Sequence, residues 1–320
     1  MNSRDVRVFE SVKTRLHAFP LTSRYLVGLS GGRDSVALLH WLLAIGYRHL
    51  IVCHLDHRLR GRSAKADARF VERLADENGA EFEADAVNVR SIATSRGISI
   101  ELAGRNARYE FFARVARRRR CRTIFLGHHA DDLVETFLIN LFRGAGTKGL
   151  AGMREISGRQ IGGVELTIVR PLLSVWRSEI DRYVRAKSLQ FREDASNREL
   201  LPLRNRMRHK IIPYLEKTLD RNIRASVWRA AILTAEEESF FEELLPAILT
   251  ELQVKELRAL PLTLQRRTLR EWLRQHQISE VNFAVVERVR SLVEQTSRVA
   301  KTNLSGNRYA RRRAGKLFIE

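Results

Sequence analysis

The stretch SGGRDS at residues 30–35 places glycines, hydroxyls and a carboxylate directly after the apolar run Tyr25–Val27. Glycines let a backbone approach a ligand and adopt positive φ angles. A helix that begins here offers unpaired N–H groups and the positive end of its dipole to an anion, and Ser30 and Ser35 add hydroxyl donors. Because the Asp34 carboxylate would repel an anion, we expect a Mg²⁺ ion between it and the phosphates. The stretch therefore predicts a phosphate or pyrophosphate site, and the alternative is an ordinary turn between a strand and a helix.

A second polar cluster lies in GHHADDLVE, residues 127–135. His128 and His129 end an apolar run that resembles a strand, and a histidine there can donate to a phosphate or shuttle a proton. Asp132 and Glu135 are three residues apart and share one face of the following helix, so the pair can bind an ammonium group or a metal ion. A carboxylate in a first helical turn is also explained by the helix dipole alone.

Arginines form two groups that suit phosphates and bases, because a planar guanidinium forks onto phosphate and stacks on rings. One pair lies three residues apart on a predicted helix, and the other group lies in LRNRMRHKIIP, residues 203–213. A solvated helix face is the alternative for each group. The four consecutive arginines at 117–120 cannot share one face and are a weaker indication. The candidates for contact with nucleic acid are Arg105, Arg108, Arg204, Arg206 and Arg208.

The stretch HLDHRLRGRSAKAD, residues 54–67, follows a second strand-like run. In an α/β nucleotide fold this edge of the sheet commonly faces the adenosine. Asp56, His57 and Arg60 are therefore candidates for the rim of a nucleotide site. Arg60 and Arg62 are explained equally well as solvated loop charges.

The order of elements explains how these motifs meet. Apolar strand-like runs at 24–29, 49–57, 81–89 and 123–129 alternate with helical patterns at 35–46, 63–79, 101–120 and 130–144. Such alternation is typical of βαβ units and a parallel sheet, whose ligands lie at the carboxyl ends of the strands. One more strand, a turn and a helix are expected in 167–191. Beyond residue 216 the alternation stops, and long helical stretches precede a small hairpin at 301–320. We expect an α/β catalytic domain at 1–215 and a mostly helical domain at 216–320.

The whole chain has 320 residues, with 57 Lys plus Arg against 37 Asp plus Glu and a net charge of +20. This balance favours a polyanionic partner through phosphate neutralisation and counterion release, and a generally basic solvated surface is the alternative.

No apolar run is long enough for a membrane span, and MNSRDVRVFE has no signal-peptide pattern, so we expect a cytoplasmic protein. Cys53 and Cys121 are expected to be small buried hydrophobes.

Residues 144–149, GAGTKG, match the dinucleotide pattern G-x-G-x-x-G. They follow a predicted helix and not a strand, so a dinucleotide site is not indicated. A loop that closes over the site or over RNA is the preferred interpretation.

The glycine-rich stretch is not a Walker loop, because G-x-x-x-x-G-K-[ST] is absent. It resembles the phosphate loop of the PP-loop ATP pyrophosphatases, which transfer AMP to an oxygen atom. The successive motifs SGGRDS, HLDHRLRGRSAKAD, AGRNARY, LGHHADDLVETFLINLFRGAGTKGLAGM, RPLL, EDASN and RNRMRHKIIP resemble the bacterial tRNA(Ile)-lysidine synthetases over residues 22 to 215. The helical remainder is similar in character to the tRNA substrate-binding domain of that family.

The resemblance implies a two-step reaction. ATP adenylates the C2 carbonyl oxygen of the wobble cytidine in the isoleucine tRNA with a CAU anticodon, and pyrophosphate leaves. The ε-amine of free L-lysine then attacks C2, displaces AMP and forms lysidine. The resemblance also implies ATP and Mg²⁺ as cofactors and no membrane partner.

The positions of the motifs in this sequence indicate which residues perform these steps. Catalytic roles fall to Asp34, His129 and Arg105, with the magnesium ion on Asp34. Lysine binding falls to Asp132 and Glu135. ATP binding is implied for Ser30, Gly31, Gly32, Arg33, Asp34, Ser35, Asp56 and His57, and tRNA binding for Arg108, Arg204, Arg206 and Arg208.

Two features differ from the family pattern. Asn106 stands where a glutamate usually follows the first arginine of the arginine-tyrosine motif. The chain also resembles the shorter form of the family, without an additional C-terminal domain, so its rejection of the methionine tRNA can differ.

Three other functions compete with this interpretation. A tRNA thiolase of the related cytidine type needs paired cysteines, whereas Cys53 and Cys121 are isolated. An amidotransferase-type synthetase needs a glutaminase domain or another source of ammonia. A catalytically silent tRNA-binding protein would not need the carboxylates and histidines of the two polar clusters.

Overall fold

The computed structural model describes residues 12, 16–59, 62–192, 203–245 and 250–320, and the side chains of 62–65 are not described. Arg60 and the motif EDASN at 193–197 lie outside the described residues. The described chain forms two compact units, one up to Ala235 and one from Glu236.

A six-stranded sheet forms the centre of the first unit, in the order β3-β2-β1-β4-β6-β5. All neighbouring pairs are parallel except β5 with β6. Strand order reverses at the step from β1 to β4, and ligands of open α/β sheets bind beside such a point. The strands are β1 Tyr25–Gly28, β2 Leu50–Asp56, β3 Glu81–Ala86, β4 Thr123–Leu126, β5 Ile156–Ile161 and β6 Val164–Val169.

The helices of this unit alternate with the strands, as the sequence predicts. They are α1 Arg33–Ala44, α2 Arg62–Glu77, α3 Val89–Arg96, α4 Ile100–Arg119, α5 Ala130–Phe142, α6 Thr147–Leu150, α7 Arg177–Ala186, α8 Leu203–Arg206, α9 Ile212–Leu219 and α10 Ile223–Glu243, whose end belongs to the second unit. A 3₁₀ helix spans Pro171–Ser174, and a π-helical segment, Met207–Ile211, joins α8 to α9.

Helices cover both faces of the sheet. In β1, Tyr25 and Val27 belong to a core cluster shared with α1, α2 and α7, whereas Leu26 belongs to the cluster on the opposite face with α4. Successive side chains of a strand point to opposite faces, so a strand buried on both sides reads as a continuous apolar run. The predicted α/β parallel-sheet fold is confirmed.

The hairpin β5–β6 was not predicted as such. The sequence predicts a single strand near 167, but two strands turn at Gly162 and Gly163, which both have positive φ angles. Gly162 and Gly163 lie between two segments of alternating apolar and polar residues, which is a typical sequence signal for a β-hairpin.

The second unit combines helices with a small antiparallel sheet. Trp272 and Leu273 of one helix pack with Leu317 and Ala310 of the sheet. The hairpin expected at 301–320 is present as β9 and β10, which turn at Ala314 and Gly315, and two more strands flank it. The elements are β7 Leu252–Gln253, α11 Val254–Ala259, α12 Leu262–Gln275, α13 Phe283–Ser291, β8 Lys301–Asn303, β9 Tyr309–Arg313 and β10 Lys316–Ile319, with the sheet in the order β7-β10-β9-β8.

The two compact units divide within α10, between Ala235 and Glu236. The first part of α10 packs on the first unit, where the Trp228 indole N–H donates to the carbonyl of Leu173 at 3.2 Å. The functional boundary at 215/216 stays a prediction. Across the described part of the chain, none of the helices has the length and apolar character needed to cross a membrane.

Gly127 lies where β4 passes the start of α1. A Cβ atom at this position would lie 2.9 Å from the carbonyl oxygen of Asp34 and 3.2 Å from the backbone nitrogen of Ser35. Since these are backbone atoms, they cannot move aside without shifting α1. Only glycine allows this close approach.

We expect Gly127→Ala to lower the free energy of unfolding by about 2 kcal/mol, because overpacking forces a backbone shift. Urea denaturation of the purified protein measures the change. Gly158→Ala is the matched control, because its Cβ would meet its nearest neighbour at an ordinary 3.9 Å. Equal stability of the two variants would contradict the close-approach argument.

Candidate active site

A cavity of about 590 Å³ opens at the carboxyl ends of β1, β2 and β4. The loop after β1 contributes Ser30, Gly32 and Asp34 to its wall, and the end of β2 contributes Asp56 and His57. The predicted ligand edge of the sheet is therefore concave.

Hydroxyl groups hold the loop after β1. The Ser35 hydroxyl donates to the Gly32 carbonyl at 2.8 Å, and the Gly32 N–H donates to the Ser30 hydroxyl at 3.2 Å. Gly31 has a φ of 84°, in the region that favours glycine. No side chain caps α1, which begins after Gly32, so the first turn offers its N–H groups to an anion.

Arg33 borders the cavity, but its side chain has protein partners. Its guanidinium pairs with Asp181 of α7 and lies 5.1 Å from the centre of the Phe191 ring. The ATP-binding role expected for Arg33 therefore has a structural alternative, in which the side chain fastens α7 to the start of α1.

Asp34 has a carboxylate oxygen that suits a cation. Its Oδ1 is buried and accepts no hydrogen bond from the described residues, and its Oδ2 lies 3.6 Å from Nε2 of His129. Burial raises the pKa of Asp34, but His129 outweighs burial and the net pKa is lowered, so the carboxylate is ionised. No group of three or more His, Cys, Asp or Glu among the described residues could hold a metal ion. The donor set fits Mg²⁺ shared between one carboxylate, phosphates and water.

His129 lies behind Asp34 and does not line the cavity. Its side chain is 1% exposed, and its Nε2 lies 3.5 Å from Oδ2 of Asp132 while its Nδ1 lies 3.8 Å from Oδ2 of Asp131. Burial lowers the pKa of His129, but the carboxylates, led by Asp132, raise it on balance. The surrounding carboxylates therefore favour the imidazolium form of His129, and its contact with Asp34 connects this buried side chain to the cavity.

His128 borders the cavity instead. Its Nδ1 is buried and has no hydrogen-bond partner among the described residues. Burial, together with the charges of Arg170, Arg108 and Arg204, lowers the pKa of His128 to about 3. The sequence predicts His129 as the catalytic residue, whereas His128 is the histidine at the cavity wall, and no local signal in the sequence separates the two.

The expected lysine site is occupied by protein groups. Nε of Arg208 donates to Oε1 of Glu135 at 2.6 Å, and Nη2 donates to Oε2 at 3.0 Å and to Oδ1 of Asp132 at 3.2 Å. Nη2 of Arg204 donates to the Thr136 hydroxyl at 2.7 Å. Burial raises the pKa of Glu135, and the fork from Arg208 counteracts it. Asp132 and Glu135 do share a helix face, as predicted, but they face arginines expected to contact tRNA.

A positive cluster lies beside His128. Burial lowers the pKa of the Arg108 guanidinium, and the neighbouring charges of Arg105 and Arg204 lower it further. Arg108 lines the cavity and is exposed. Arg105 and Arg206 are exposed. Arg170, which the sequence analysis did not assign, is buried and donates to the carbonyl of Arg154 at 2.7 Å.

Asp56 and His57 lie at the cavity wall, as expected. Oδ1 of Asp56 accepts the backbone N–H of Arg58 at 2.7 Å, which stabilises the turn after β2. A Cβ at Gly104 would lie 3.2 Å from the His57 ring, so this glycine makes room for the imidazole.

The cavity wall also includes Phe191, Arg192 and Arg177, for which the sequence predicts no role. The Arg192 N–H donates to the Gly31 carbonyl at 2.9 Å, and its Nε donates to Oδ1 of Asp67 at 2.9 Å. These residues are distant from SGGRDS in sequence, so spacing within a motif could not find them.

We expect His128→Asn to reduce the acid sensitivity of folding. An unfolded histidine has a pKa near 6.5, so between about pH 6.5 and 3 the unfolded state binds a proton that the native state does not. Stability that depends on neutral His128 is therefore lost as the pH falls through this window. Urea midpoints at pH 7 and pH 4 test this, with exposed His49→Asn as the control. An equal fall in the urea midpoint between pH 7 and pH 4 in wild type and His128→Asn would contradict this prediction.

We expect Arg208→Ala to lower the free energy of unfolding by about 3 kcal/mol, because it leaves the buried Glu135 carboxylate without its fork. Arg206→Ala, at an exposed position two residues away, should leave the urea midpoint unchanged. The double variant Arg208→Ala, Glu135→Gln should recover part of the loss. No recovery would show that Arg208 stabilises the fold by other contacts.

Two known protein-domain families match two separate parts of this chain. The PP-loop domain family matches residues 6–215, and the TilS substrate binding domain matches residues 252–318. The tRNA(Ile)-lysidine synthase of Geobacter sulfurreducens is 38% identical over 285 residues, which is 84% of this chain and 59% of that protein. The enzyme of the same name from Solibacter usitatus is 33% identical over 90% of this chain and 65% of its own length. That from Thermosynechococcus vestitus is 34% identical over 95% of this chain and 88% of its own length.

A solved structure shows the same fold. The U34-tRNA thiolase NcsA from Methanococcus maripaludis with its 4Fe-4S cluster has a TM-score of 0.58 at 20% identity, covering 73% of this chain and 81% of that one. This chain spans less than two thirds of the Geobacter and Solibacter relatives and most of the Thermosynechococcus relative. From the PP-loop match and the extent of these identities, the chain belongs to the tRNA(Ile)-lysidine synthase family.

Proposed function

We propose that this protein joins free L-lysine to C2 of the wobble cytidine of the CAU-anticodon isoleucine tRNA, in the cytoplasm, with ATP cleaved to AMP and pyrophosphate. One observation carries the proposal: an uncapped helix start and an ionised Asp34 with an unpartnered oxygen border one cavity. Family membership supports the choice of substrates.

The loop after β1 is assigned to the phosphates of ATP. The N–H groups at the start of α1 bind phosphate oxygens, with the Ser30 and Ser35 hydroxyls holding the loop in shape. A Mg²⁺ ion on Asp34 would neutralise charge on the phosphates. His129 positions Asp34, because its imidazolium touches that carboxylate from the buried side. Asp56 and His57 border the adenosine side of the cavity.

The first step forms a bond between the cytidine C2 carbonyl oxygen and the α-phosphorus of ATP and breaks the bond to the pyrophosphate. Arg108 borders the cavity next to His128, and Arg105 adds positive charge beside it. We assign these arginines to the tRNA backbone and to the orientation of the reacting base. Arg204 and Arg206 extend the positive surface.

The second step forms the bond between the neutral lysine ε-nitrogen and C2. The bond from C2 to the oxygen of AMP breaks with its electron pair on that oxygen, and the attacking nitrogen loses a proton. Asp132 and Glu135 are assigned to the free amino acid. Because Arg208 already forks onto Glu135, a lysine ammonium at these carboxylates must replace that arginine's contacts. The ammonium and the guanidinium are therefore expected to bind alternately.

The properties of Cys53 and Cys121, the two cysteines of the chain, argue against a thiolase function. Both are buried, and burial raises the pKa of the Cys53 and Cys121 thiols, which opposes formation of reactive thiolates.

The test is a reaction of the purified protein with ATP, Mg²⁺, radiolabelled lysine and a transcript of the isoleucine tRNA, with the methionine tRNA as control. Label that enters only the isoleucine tRNA and survives mild alkaline deacylation supports lysidine formation. AMP formation without label would reject lysine as the nucleophile. Absence of both signals would favour a silent tRNA-binding protein.

We expect Asp34→Ala to slow AMP formation by at least ~100-fold, because it removes the carboxylate assigned to the metal, and to leave tRNA affinity within about threefold. Filter binding measures the affinity. Adenylation that persists at the wild-type rate would remove Asp34 from the mechanism.

A further inference from the structure

Five arginines border the cavity within the described residues: Arg33, Arg108, Arg177, Arg192 and Arg208. Three of them are ion-paired with carboxylates: Arg33 with Asp181, Arg192 with Asp67, and Arg208 with Glu135. Arg177 and Arg108 form no ion pair with any described residue. The sequence predicts a tRNA contact for Arg108 and no role for Arg177.

The start of α7 fixes the position of Arg177. Its backbone N–H donates to Oδ2 of Asp131 at 3.0 Å, and the carbonyl of Val175 accepts the N–H of Ala130 at 2.9 Å. The Trp176 N–H donates to Oε2 of Glu179 at 2.7 Å within the first turn. The backbone at Arg177 is therefore attached to the start of α5, the segment that also carries His129.

The side chain of Arg177 is half-buried, and Arg177 and Asp34 both line the cavity. Burial raises the pKa of Asp34 and His129 lowers it, and the charge of Arg177 adds to the lowering. Asp34, whose buried Oδ1 lacks a protein partner, and Arg177, which has no ion pair among the described residues, therefore line the same cavity. This combination suits a polyanion that brings its own divalent cation.

We propose that Arg177 is a further ATP-binding residue that contacts the triphosphate and stabilises the pyrophosphate as it leaves. The proposal rests on the adenylation step above, in which the bond from the α-phosphorus to the α,β-bridging oxygen breaks and its electron pair stays on that oxygen. The guanidinium donates hydrogen bonds to the charge that develops there. Arg177 is thus assigned to ATP, and Arg108 keeps its assignment to tRNA.

The experiment compares Arg177→Ala and Arg177→Lys with wild type and with Arg185→Ala, which removes an exposed arginine from the same helix. Calorimetry with Mg²⁺ and α,β-methylene-ATP measures nucleotide affinity without the reaction. Rates of tRNA-dependent AMP formation at varied ATP and lysine give the kinetic parameters.

For Arg177→Ala we expect kcat/KM for ATP to fall ~100-fold and the analogue's Kd to rise ~10-fold, with KM for lysine and tRNA affinity within about threefold of wild type. Arg177→Lys should recover about half of the loss on a logarithmic scale, because it keeps the charge and loses the fork. Arg185→Ala should match wild type.

Several outcomes would overturn the assignment. Unchanged analogue affinity and unchanged kcat/KM for ATP in Arg177→Ala would show a merely solvated arginine. A rise confined to the KM for lysine would assign Arg177 to the lysine site, and a rise confined to the Kd for tRNA would assign it to tRNA. Thermal melts accompany each variant; if Arg177→Ala is unfolded, Arg177→Lys and Arg177→Gln decide by the same criteria.

The measurements separate an error in the proposed reaction from an error in the assignment of Arg177 to ATP. A wild-type protein that makes no AMP with tRNA would overturn the proposed reaction. The analogue affinities of wild type and Arg177→Ala would still decide whether Arg177 contacts the nucleotide.

Discussion

The site depends on one interaction, the contact of a buried His129 side chain with the carboxylates of Asp34, Asp131 and Asp132. It joins the start of α1 to the start of α5, two elements that leave neighbouring strands of the sheet. Gly127 allows these segments to approach within backbone contact. A charged group this deeply buried is stable only when opposite charges surround it, so the carboxylates and the imidazolium stabilise one another.

This arrangement explains the charge of the cavity. The carboxylates on the buried side are neutralised by His129 and by Arg208, which leaves Arg177 and Arg108 as cations without an ion pair among the described wall residues. A chain with a net charge of +20 therefore presents a local excess of positive charge where two polyanions, a nucleotide and a tRNA, are proposed to meet. The Asp34 carboxylate is negative within this positive surface, and it lies where a divalent cation is proposed to bind.

The alternation of strands and helices, and the position of the ligand edge, were predictable because both follow from local patterns of apolar residues. The cavity at this edge is lined by Ser30, Asp34, Asp56 and His57, which the sequence also places there, and their roles in binding stay predictions. Pairing between distant segments was not predictable. The contact of Arg208 with Glu135 spans 73 residues, and no local spacing reports it. The same limit hid Arg192, whose N–H reaches the Gly31 carbonyl, and the pairing of Arg33 with Asp181.

His128 and His129 show why residue type and position in a motif do not assign a role. The two are adjacent where β4 gives way to α5, yet one borders the cavity among arginines and the other lies among carboxylates. Their pKa values consequently move in opposite directions, so the surroundings favour the neutral form of His128 and the charged form of His129. A neutral imidazole at the cavity wall can exchange hydrogen bonds with a substrate without adding charge, whereas the buried imidazolium fixes the geometry of Asp34. The division of labour between them arises from the turn of the backbone between strand and helix, which a linear motif does not record.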